Sequence, residues 1–300
     1  MSTETVDPRY VAIDRWPSSY AVEAMLEGQM AALAAIKSQT AAIAAAAEAA
    51  ARRLGAAGRL VYAGAGTSGR VAVQDGVELF PTYNWPRERL VFLMAGGTAA
   101  LIESVEGAED DAGAASAAVA EARIGPSDVV IGVAASGRTP YTVAVIEAAR
   151  AAGALTIGVA NNPREGLLTT AEHAILADTG SEIVAGSTRM KAGTAQKAVL
   201  NLLSTTIMLR RGLVHQGLMV NMRVSNQKLR ARAEAMVAQI AGVPQTAAAR
   251  ALDAAAEEIR AAVLVARGAT AAEADALLLA HNGSLGAALA EWGTDRAARP

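Results

Sequence analysis

The sequence predicts an α/β protein built on a parallel β-sheet that is covered by helices on both faces. Between about residues 55 and 215, short apolar runs alternate with helix-compatible segments, and Gly, Ser or Asn closes each run. Continuous apolar runs of this kind are typical of strands that are buried on both faces. The runs are RLVYAGAG, RLVFLMAGG, DVVIGVAAS, ALTIGVANN and HAILADTG.

Helical segments flank this region and suggest three parts. Residues 18–54 are rich in Ala, Glu and Met and predict one or two helices in an N-terminal arm, residues 1–54. The α/β domain, residues 55–217, ends with a long helix in STRMKAGTAQKAVLNLLSTTIMLRRG, where Gly212 is a C-terminal stop. Residues 218–300 form a helical subdomain, with breaks near Gly242, Gly268 and Gly283.

The composition excludes several classes of protein. The 300 residues carry a formal net charge of -2, which indicates neither a polyanion nor a membrane surface as partner. The chain has no cysteine, and its aromatic content of 3% disfavours the stacking surfaces of nucleic-acid binders. No alanine-rich run is an apolar span of about 20 residues, and the start MSTETVDPRY lacks a signal-peptide pattern. We expect a soluble cytoplasmic protein without nucleic-acid or membrane partners.

The stretch GAGTSGR, residues 64–70, follows the first apolar run and matches the G-x-G-x-x-G dinucleotide fingerprint. A dinucleotide site also needs an acidic residue at the end of the second strand, which here reads FLMAGGTAA. The absence of an acid there disfavours NAD, and we expect no cofactor. The similar segments AASGRTP and AGSTRMKAGT instead follow later strands. Hydroxyl-rich loops converging at helix N-termini favour a compact phosphate monoester.

The loops contain two sets of candidate ligand contacts. Small and hydroxyl residues allow close approach of the backbone and donate to phosphate oxygens. These candidates are Gly66, Thr67, Ser68, Ser136, Gly137, Thr139, Ser187 and Thr188. Basic residues near the predicted helix starts oppose the helix dipole, which suggests a nearby anion or a partner's carboxylates, although solvated or structural roles stay open. These are Arg70, Arg138, Arg189 and Lys191.

Two acidic segments follow strands at the same sheet edge. Glu78 lies in QDGVELFPT, and VEGAEDDAG supplies the acids Glu106, Glu109, Asp110 and Asp111. Surface or helix-dipole roles explain such acids too, and spacing alone does not choose among them. The alternative is a functional role, in which two of these side chains act as general acid and general base on one bound ligand. His173, His215 and His281 have no metal-ligand spacing, so we expect no metal site.

Several blocks together resemble the bacterial N-acetylmuramic acid 6-phosphate etherases of the sugar isomerase (SIS) superfamily. They are GRLVYAGAGTSGRVAVQDGVELFPTY, AGGTAALIESVEGAEDD, GVAASGRTPYTVAVIEAAR, GSTRMKAGTAQKAVLNLLST and VSNQKLRARA. The resemblance implies a doubly wound five-stranded parallel sheet in flavodoxin-like order, a homodimer, and a phosphorylated amino sugar as the small-molecule ligand. The glucokinase regulatory protein is a relative with the same sugar-phosphate-binding fold.

The resemblance also implies roles for individual residues. Ser68, Ser136, Thr139 and Ser187 would serve the 6-phosphate. By the family's usual assignment Glu78 donates a proton and Glu109 is the base, while Glu106 is structural. The implied reaction cleaves the lactyl ether by elimination and hydration.

The chain departs from the family pattern around the first acid, where it has SGRVAVQDG and a single proline in LFPT. Leu79, Phe80, Tyr83 and Trp85 make this wall bulkier and more aromatic. Two other functions stay open at this point. One is a sugar-phosphate sensor without turnover, and the other is an aldose–ketose isomerase of the same superfamily.

Overall fold

The computed structural model describes residues 2–163 and 166–297, and it confirms the predicted α/β class. Each of the predicted apolar runs forms one parallel strand. The strands are β1 (Leu60–Gly64), β2 (Leu90–Met94), β3 (Val129–Ala134), β4 (Leu155–Ala160) and β5 (His173–Leu176). Their order in the sheet is β2-β1-β3-β4-β5, the flavodoxin-like order that the resemblance implies.

This order creates a switch point between β1 and β3. Strand β1 pairs with both neighbours, so that Gly64 lies in register with Met94 of β2 and with Val133 of β3. The chain leaves β1 toward one side and leaves β3 toward the other. Ligands of open α/β sheets bind in the crevice that opens at the carboxyl ends of such strands.

The helices follow the predicted alternation. The α-helices are α1 (Ser18–Ala35), α2 (Thr40–Leu54), α3 (Gly66–Val77), α4 (Leu79–Tyr83), α5 (Ala112–Glu121), α6 (Pro140–Ala151), α7 (Gly166–Thr170), α8 (Lys191–Arg210), α9 (Gln227–Ala241), α10 (Gln245–Ala254), α11 (Ile259–Ala266), α12 (Ala271–Ala280) and α13 (Leu285–Ala297). Short 3-10 helices occupy Ser2–Glu4, Pro8–Tyr10, Ile13–Arg15, Ile36–Gln39, Arg87–Arg89, Thr98–Leu101 and Ala108–Asp110.

Internal contacts divide the chain into two compact units. The first comprises residues 1–77 and 87–206, and the second comprises residues 78–86 and 207–300. We call them the sheet unit and the helical unit. The division into residues 1–54, 55–217 and 218–300 stays a prediction. Gly212, Gly242, Gly268 and Gly283 all adopt the positive φ angles expected at helix breaks.

The core of the sheet unit is built from the three central strands. Every residue of β1, β3 and β4 is buried. Helix α2 covers one face through a stripe of mostly small side chains at helical spacing, which lets the helix approach the strands closely. The buried residues of this stripe are Ile43, Ala46, Ala47, Ala50, Ala51 and Leu54.

The N-terminal helices contain the apolar stretch Ser18–Leu54. By length and composition it is able to cross a membrane, with a mean hydropathy of 1.3 over an 18-residue window. The expectation that no alanine-rich run is such a span is therefore wrong on this criterion, because alanine raises hydropathy even where Glu interrupts the run. One helix of this kind is weak evidence for a membrane span, since core helices of soluble proteins meet the same criterion.

The helical unit has a core of its own. Helices α9 to α13 bury one continuous apolar cluster that includes Met236, Leu252, Val263 and Leu285. Helix α12 begins with a capping box, in which Thr270 and Glu273 bind each other's backbone amides. This unit therefore has the apolar core and the helix capping that stable packing requires.

An ion pair joins the amino ends of the central strands in the sheet unit. Arg59 Nη2 lies 2.6 Å from Asp128 Oδ2, and Arg59 Nε donates to Asp128 Oδ1 at 3.1 Å. Burial alone would raise the pKa of Asp128, but hydrogen bonds from Arg59 and from the Gly125 amide outweigh it, so the pKa is lowered. The pair fixes the edge of the sheet opposite to the switch point.

Asp128→Asn is expected to lower the free energy of unfolding by about 3 kcal/mol at neutral pH, because the Arg59 guanidinium loses its charged partner. A lowered native pKa stabilises the fold above the unfolded pKa and is lost as pH falls, so the deficit should shrink below about pH 4. Urea unfolding at several pH values measures the loss of unfolding free energy and its pH dependence. Asp14→Asn is the control, because the Asp14 side chain is 73% exposed. A deficit that does not change with pH would contradict this account.

Candidate active site

A cavity of ≈ 450 Å³ lies at the switch point, within the sheet unit. Its walls come from the loops after β1 and β3, from an acidic loop after β2, and from two further segments. The lining residues are Glu4, Ala65, Gly66, Thr67, Ser68, Glu109, Asp110, Ala135, Ser136, Arg138, Thr139, Pro140 and Thr188. We call this space the switch-point cavity. Its volume is in the range of small-molecule sites.

The first wall is the turn from β1 into α3. A Cβ atom on Gly64 would lie 2.8 Å from the Gly69 Cα, and a Cβ on Gly69 would lie 2.8 Å from the Gly64 carbonyl oxygen. Only glycines permit this approach of helix to strand, as in phosphate-binding turns. Thr67 and Ser68 therefore fall in the first turn of α3, where backbone amides have no partner within the helix.

The second wall is the loop after β3. Gly137 adopts a φ of +72°, and the Arg138 amide donates to Ser136 Oγ at 3.0 Å. Thr139 precedes α6 but its side chain makes no capping hydrogen bond, and Pro140 occupies the first turn. The Ser136 and Thr139 hydroxyls lie 3.4 Å apart. A second helix N-terminus therefore opens on the cavity with two hydroxyls beside it.

The third predicted loop, AGSTRMKAGT, contributes fewer residues to the cavity than the loops after β1 and β3. Thr188 lines the cavity, whereas α8 begins only at Lys191. The Lys191 and Ala192 amides donate to the two carboxylate oxygens of Glu182, each at 2.9 Å, and Glu182 is fully buried. The Lys191 ammonium donates to the Ser181 carbonyl at 2.8 Å. The N-terminus of α8 is thus closed by a carboxylate of the protein itself, which sequence spacing did not indicate.

The predicted arginines are placed differently from one another. Arg138 lines the switch-point cavity, and Arg189 is exposed. Arg70 donates to the carbonyl oxygens of Ala100 at 3.0 Å and Glu103 at 3.1 Å. It lines an adjoining cavity of ≈ 330 Å³ and supports the loop that leads to the acidic segment.

The structure separates the acids that spacing left open. Glu109 lines both the switch-point cavity and the adjoining one, and Asp110 lines the first. Glu106 lines the adjoining cavity. Asp111 accepts the Ala114 amide at 2.7 Å and caps α5. Glu78 directly follows α3 and belongs to the helical unit, and its role stays a prediction.

The histidines show no common site. His173 lies on β5 of the sheet unit, while His281 pairs with Glu291 at 2.8 Å in the helical unit. Burial lowers the pKa of His215. Within residues 2–163 and 166–297, no group of three His, Asp or Glu side chains is arranged to hold a metal ion.

A buried carboxylate that the sequence analysis did not single out, that of Asp75, lies on the buried side of α3. Asp75 accepts hydrogen bonds from the Tyr62 hydroxyl at 3.0 Å and from Asn201 Nδ2 at 2.7 Å, and Lys197 Nζ is 4.0 Å away. Burial raises the pKa of Asp75, although hydrogen bonds from Ser204, Tyr62 and Asn201 and the charge of Lys197 act in the opposite direction. The cluster joins β1, α3 and α8.

Comparisons with known proteins identify the kind of domain that this chain contains. Residues 42–150 match the family model of the glucokinase regulatory protein N-terminal SIS domain. A crystal structure from Bacteroides fragilis, of a candidate phosphosugar isomerase involved in capsule formation, superposes with a TM-score of 0.52 at 18% identity, covering 67% of this chain and 95% of that one. The family-model match and the fold thus place a SIS domain in this chain.

Curated relatives define the family more narrowly. The N-acetylmuramic acid 6-phosphate etherase of Deinococcus radiodurans is 48% identical over 83% of this chain and 82% of its own. That of Streptomyces avermitilis is 44% identical over 97% of this chain and 94% of its own. The chain belongs to the N-acetylmuramic acid 6-phosphate etherase family, and the resemblance stated from the motifs is confirmed.

Gly69→Ala tests the close approach of α3 to β1. Helix propensity alone would make this change stabilising by about 1 kcal/mol. The contact with the Gly64 carbonyl oxygen predicts a loss of about 2 kcal/mol instead. Urea unfolding decides the sign, and Gly125→Ala is the control because a Cβ there meets open space. A stabilised Gly69→Ala protein would refute the packing argument.

The raised pKa of Asp75 predicts the opposite pH trend to that of Asp128. A native pKa above the unfolded value means that wild-type stability decreases as pH rises between the two values. The asparagine of Asp75→Asn does not titrate, so the stability of the wild type relative to this variant should fall as pH rises above about pH 4, the unfolded pKa of an aspartate. Denaturant unfolding from about pH 4 upward measures this difference in stability. A difference that stays constant or rises with pH would be inconsistent with the burial of Asp75.

Proposed function

We propose that this chain is a carbon–oxygen lyase that cleaves the lactyl ether of N-acetylmuramic acid 6-phosphate. The products are N-acetylglucosamine 6-phosphate and D-lactate. The observation that carries the proposal is the switch-point cavity, which is lined by two helix N-termini with their hydroxyls and by Glu109. Membership of the etherase family supports the same conclusion.

The phosphate binds at the N-termini of α3 and α6. Free backbone amides and the positive end of the helix dipole favour an anion there. Thr67 and Ser68 of α3 donate from one side, and Ser136 and Thr139 donate from the other. The third loop adds Thr188, since the first amides of α8 are already bound to Glu182.

Elimination proceeds from the open-chain sugar, whose C1 aldehyde acidifies the C2 proton. Glu109 removes this proton, the electrons form a C2–C3 double bond, and the C3–O bond breaks. Glu78 gives its proton to the departing lactate oxygen. Water then adds across the double bond, with its hydroxyl at C3 and its proton at C2. An ionised base and a neutral acid must coexist, which requires different surroundings for the two carboxyl groups.

The match to the SIS domain of a regulatory protein keeps a second function under consideration, that of a sugar-phosphate sensor without turnover. A sensor would be stabilised by the sugar phosphate and release no lactate. An aldose–ketose isomerase would move a proton between C1 and C2 and form a ketose. The carboxylate at the phosphate site favours chemistry over sensing.

We also propose that the enzyme is a cytoplasmic homodimer. Helix α1 exposes large apolar side chains at Val22, Leu26, Met30 and Leu33, with exposed fractions of 59%, 59%, 63% and 49%. Their spacing of four, four and three residues puts them on one helix face. An apolar face of this kind supports burial against a second copy of the chain.

Incubation of the purified protein with N-acetylmuramic acid 6-phosphate is expected to release D-lactate. Glu78→Gln and Glu109→Gln should each lower kcat by about 10²–10⁴-fold, because each removes a proton-transfer group. Both variants should still bind N-acetylglucosamine 6-phosphate. Glu106→Gln, in the same acidic loop as Glu109, is the matched control and should keep most of the activity.

The outcomes separate the candidate functions. The etherase proposal fails if the folded wild type releases no lactate. Stabilisation by ligand without product would identify a sensor, and a ketose product would identify an isomerase. Full activity in Glu109→Gln would show that another group removes the C2 proton.

A further inference from the structure

The N-terminal segment of the described chain is fixed to the carboxyl edge of the sheet. The Ser2 amide and hydroxyl donate to Asn162 Oδ1 at 2.8 and 2.9 Å. Asn162 Nδ2 donates in turn to Thr3 Oγ1 at 3.0 Å and to the Ala135 carbonyl at 2.8 Å. Asn162 is 1% exposed and Thr3 is fully buried. Buried polar groups with this many partners define one position for the segment.

A second contact holds the same segment from the other side. The Gly186 amide donates to the Thr3 carbonyl at 3.0 Å. Gly186 has a φ of +76°, and a Cβ there would lie 2.8 Å from Glu4 Oε2. Glycine at position 186 therefore permits both the positive φ angle of the turn and the close approach of the Glu4 carboxylate. The Glu4 carboxylate is thus packed against the loop that leads to Thr188.

This anchoring brings Glu4 to the switch-point cavity. Glu4 lines the cavity together with Ser68, Ser136 and Glu109, and its side chain is exposed. An ionised carboxylate accepts hydrogen bonds and cannot donate them. It repels phosphate and attracts hydroxyl and amide N–H groups. Among the parts of a sugar phosphate, only the carbon chain with its substituents offers such donors.

We propose that Glu4 determines specificity by accepting a hydrogen bond from a hydroxyl or acetamido N–H group of the bound sugar. The inference rests on the proposed function, because that function supplies the sugar phosphate. Hydrogen bonds to a charged acceptor are about twice as strong as neutral ones. Glu4 therefore distinguishes an amino-sugar phosphate from a bare phosphate that occupies the same helix N-termini.

Titration calorimetry with two probes, N-acetylglucosamine 6-phosphate and inorganic phosphate, tests this role. Glu4→Gln should weaken the sugar phosphate about 10- to 100-fold, which corresponds to the loss of a charge-assisted hydrogen bond. Binding of inorganic phosphate should stay unchanged or tighten, because a negative charge leaves the cavity. Glu147→Gln, at an exposed position on α6, is the matched control.

Thr3→Val tests the anchor while preserving the shape of the side chain. It removes the hydroxyl that binds Asn162, so Glu4 loses its fixed position, and the sugar phosphate should again be weakened selectively. In turnover, Glu4→Gln should raise KM with a much smaller effect on kcat, as expected for a group that binds the substrate. If Thr3→Val does not fold, the two-probe comparison on Glu4→Gln decides alone.

The proposal is overturned if Glu4→Gln binds the sugar phosphate as the wild type does, or if both probes are weakened by the same factor. Lactate release by the wild type is a separate measurement. If the wild type releases lactate and Glu4→Gln binds the sugar phosphate with unchanged affinity, only this role of Glu4 is rejected. Sugar-phosphate binding that depends on Glu4, without lactate release, would reject the etherase reaction only.

Discussion

The site depends on the contact between the backbones of Gly64 and Gly69. With no side chain between them, the first turn of α3 lies directly on the end of β1. Any Cβ at either position would push the helix away from the sheet edge. This contact brings the amides of Thr67 and Ser68 to the switch point, where the strand order places the loop after β3 opposite them. The proposed phosphate site rests on this geometry.

Four helix N-termini of the sheet unit, those of α3, α5, α6 and α8, fall into two groups. Those of α3 and α6 open on the switch-point cavity with hydroxyl groups beside them. Those of α5 and α8 are closed by carboxylates of the chain, Asp111 and Glu182. An unpaired N-terminus favours an anion, so among these four only the N-termini of α3 and α6 are left to bind the proposed phosphate.

Much of the fold was predictable because apolar runs and small-residue loops are local patterns. The five strands, the long helix and the hydroxyl loops all follow from such patterns, and the strand order followed from the resemblance. The role of Glu182 was not predictable, because it lies nine residues before the helix that it caps. The burial of Asp75 was not predictable either, because its partners Tyr62 and Asn201 lie far from it in the sequence.

The place of Glu4 in the cavity was not predictable for the same reason. Its neighbours Ser2 and Thr3 are held there by hydrogen bonds with Asn162, which lies far along the chain. Its presence constrains how a ligand lies. Glu4, Glu109 and Asp110 give the cavity three carboxylates, and a phosphate dianion is repelled by all of them. The helix N-termini attract the phosphate at the same time. In the proposed complex, a sugar phosphate is therefore favoured with its phosphate at α3 and α6 and its hydroxyl and acetamido groups toward the carboxylates. That orientation would present the carbon chain to Glu109, as the proposed proton abstraction requires.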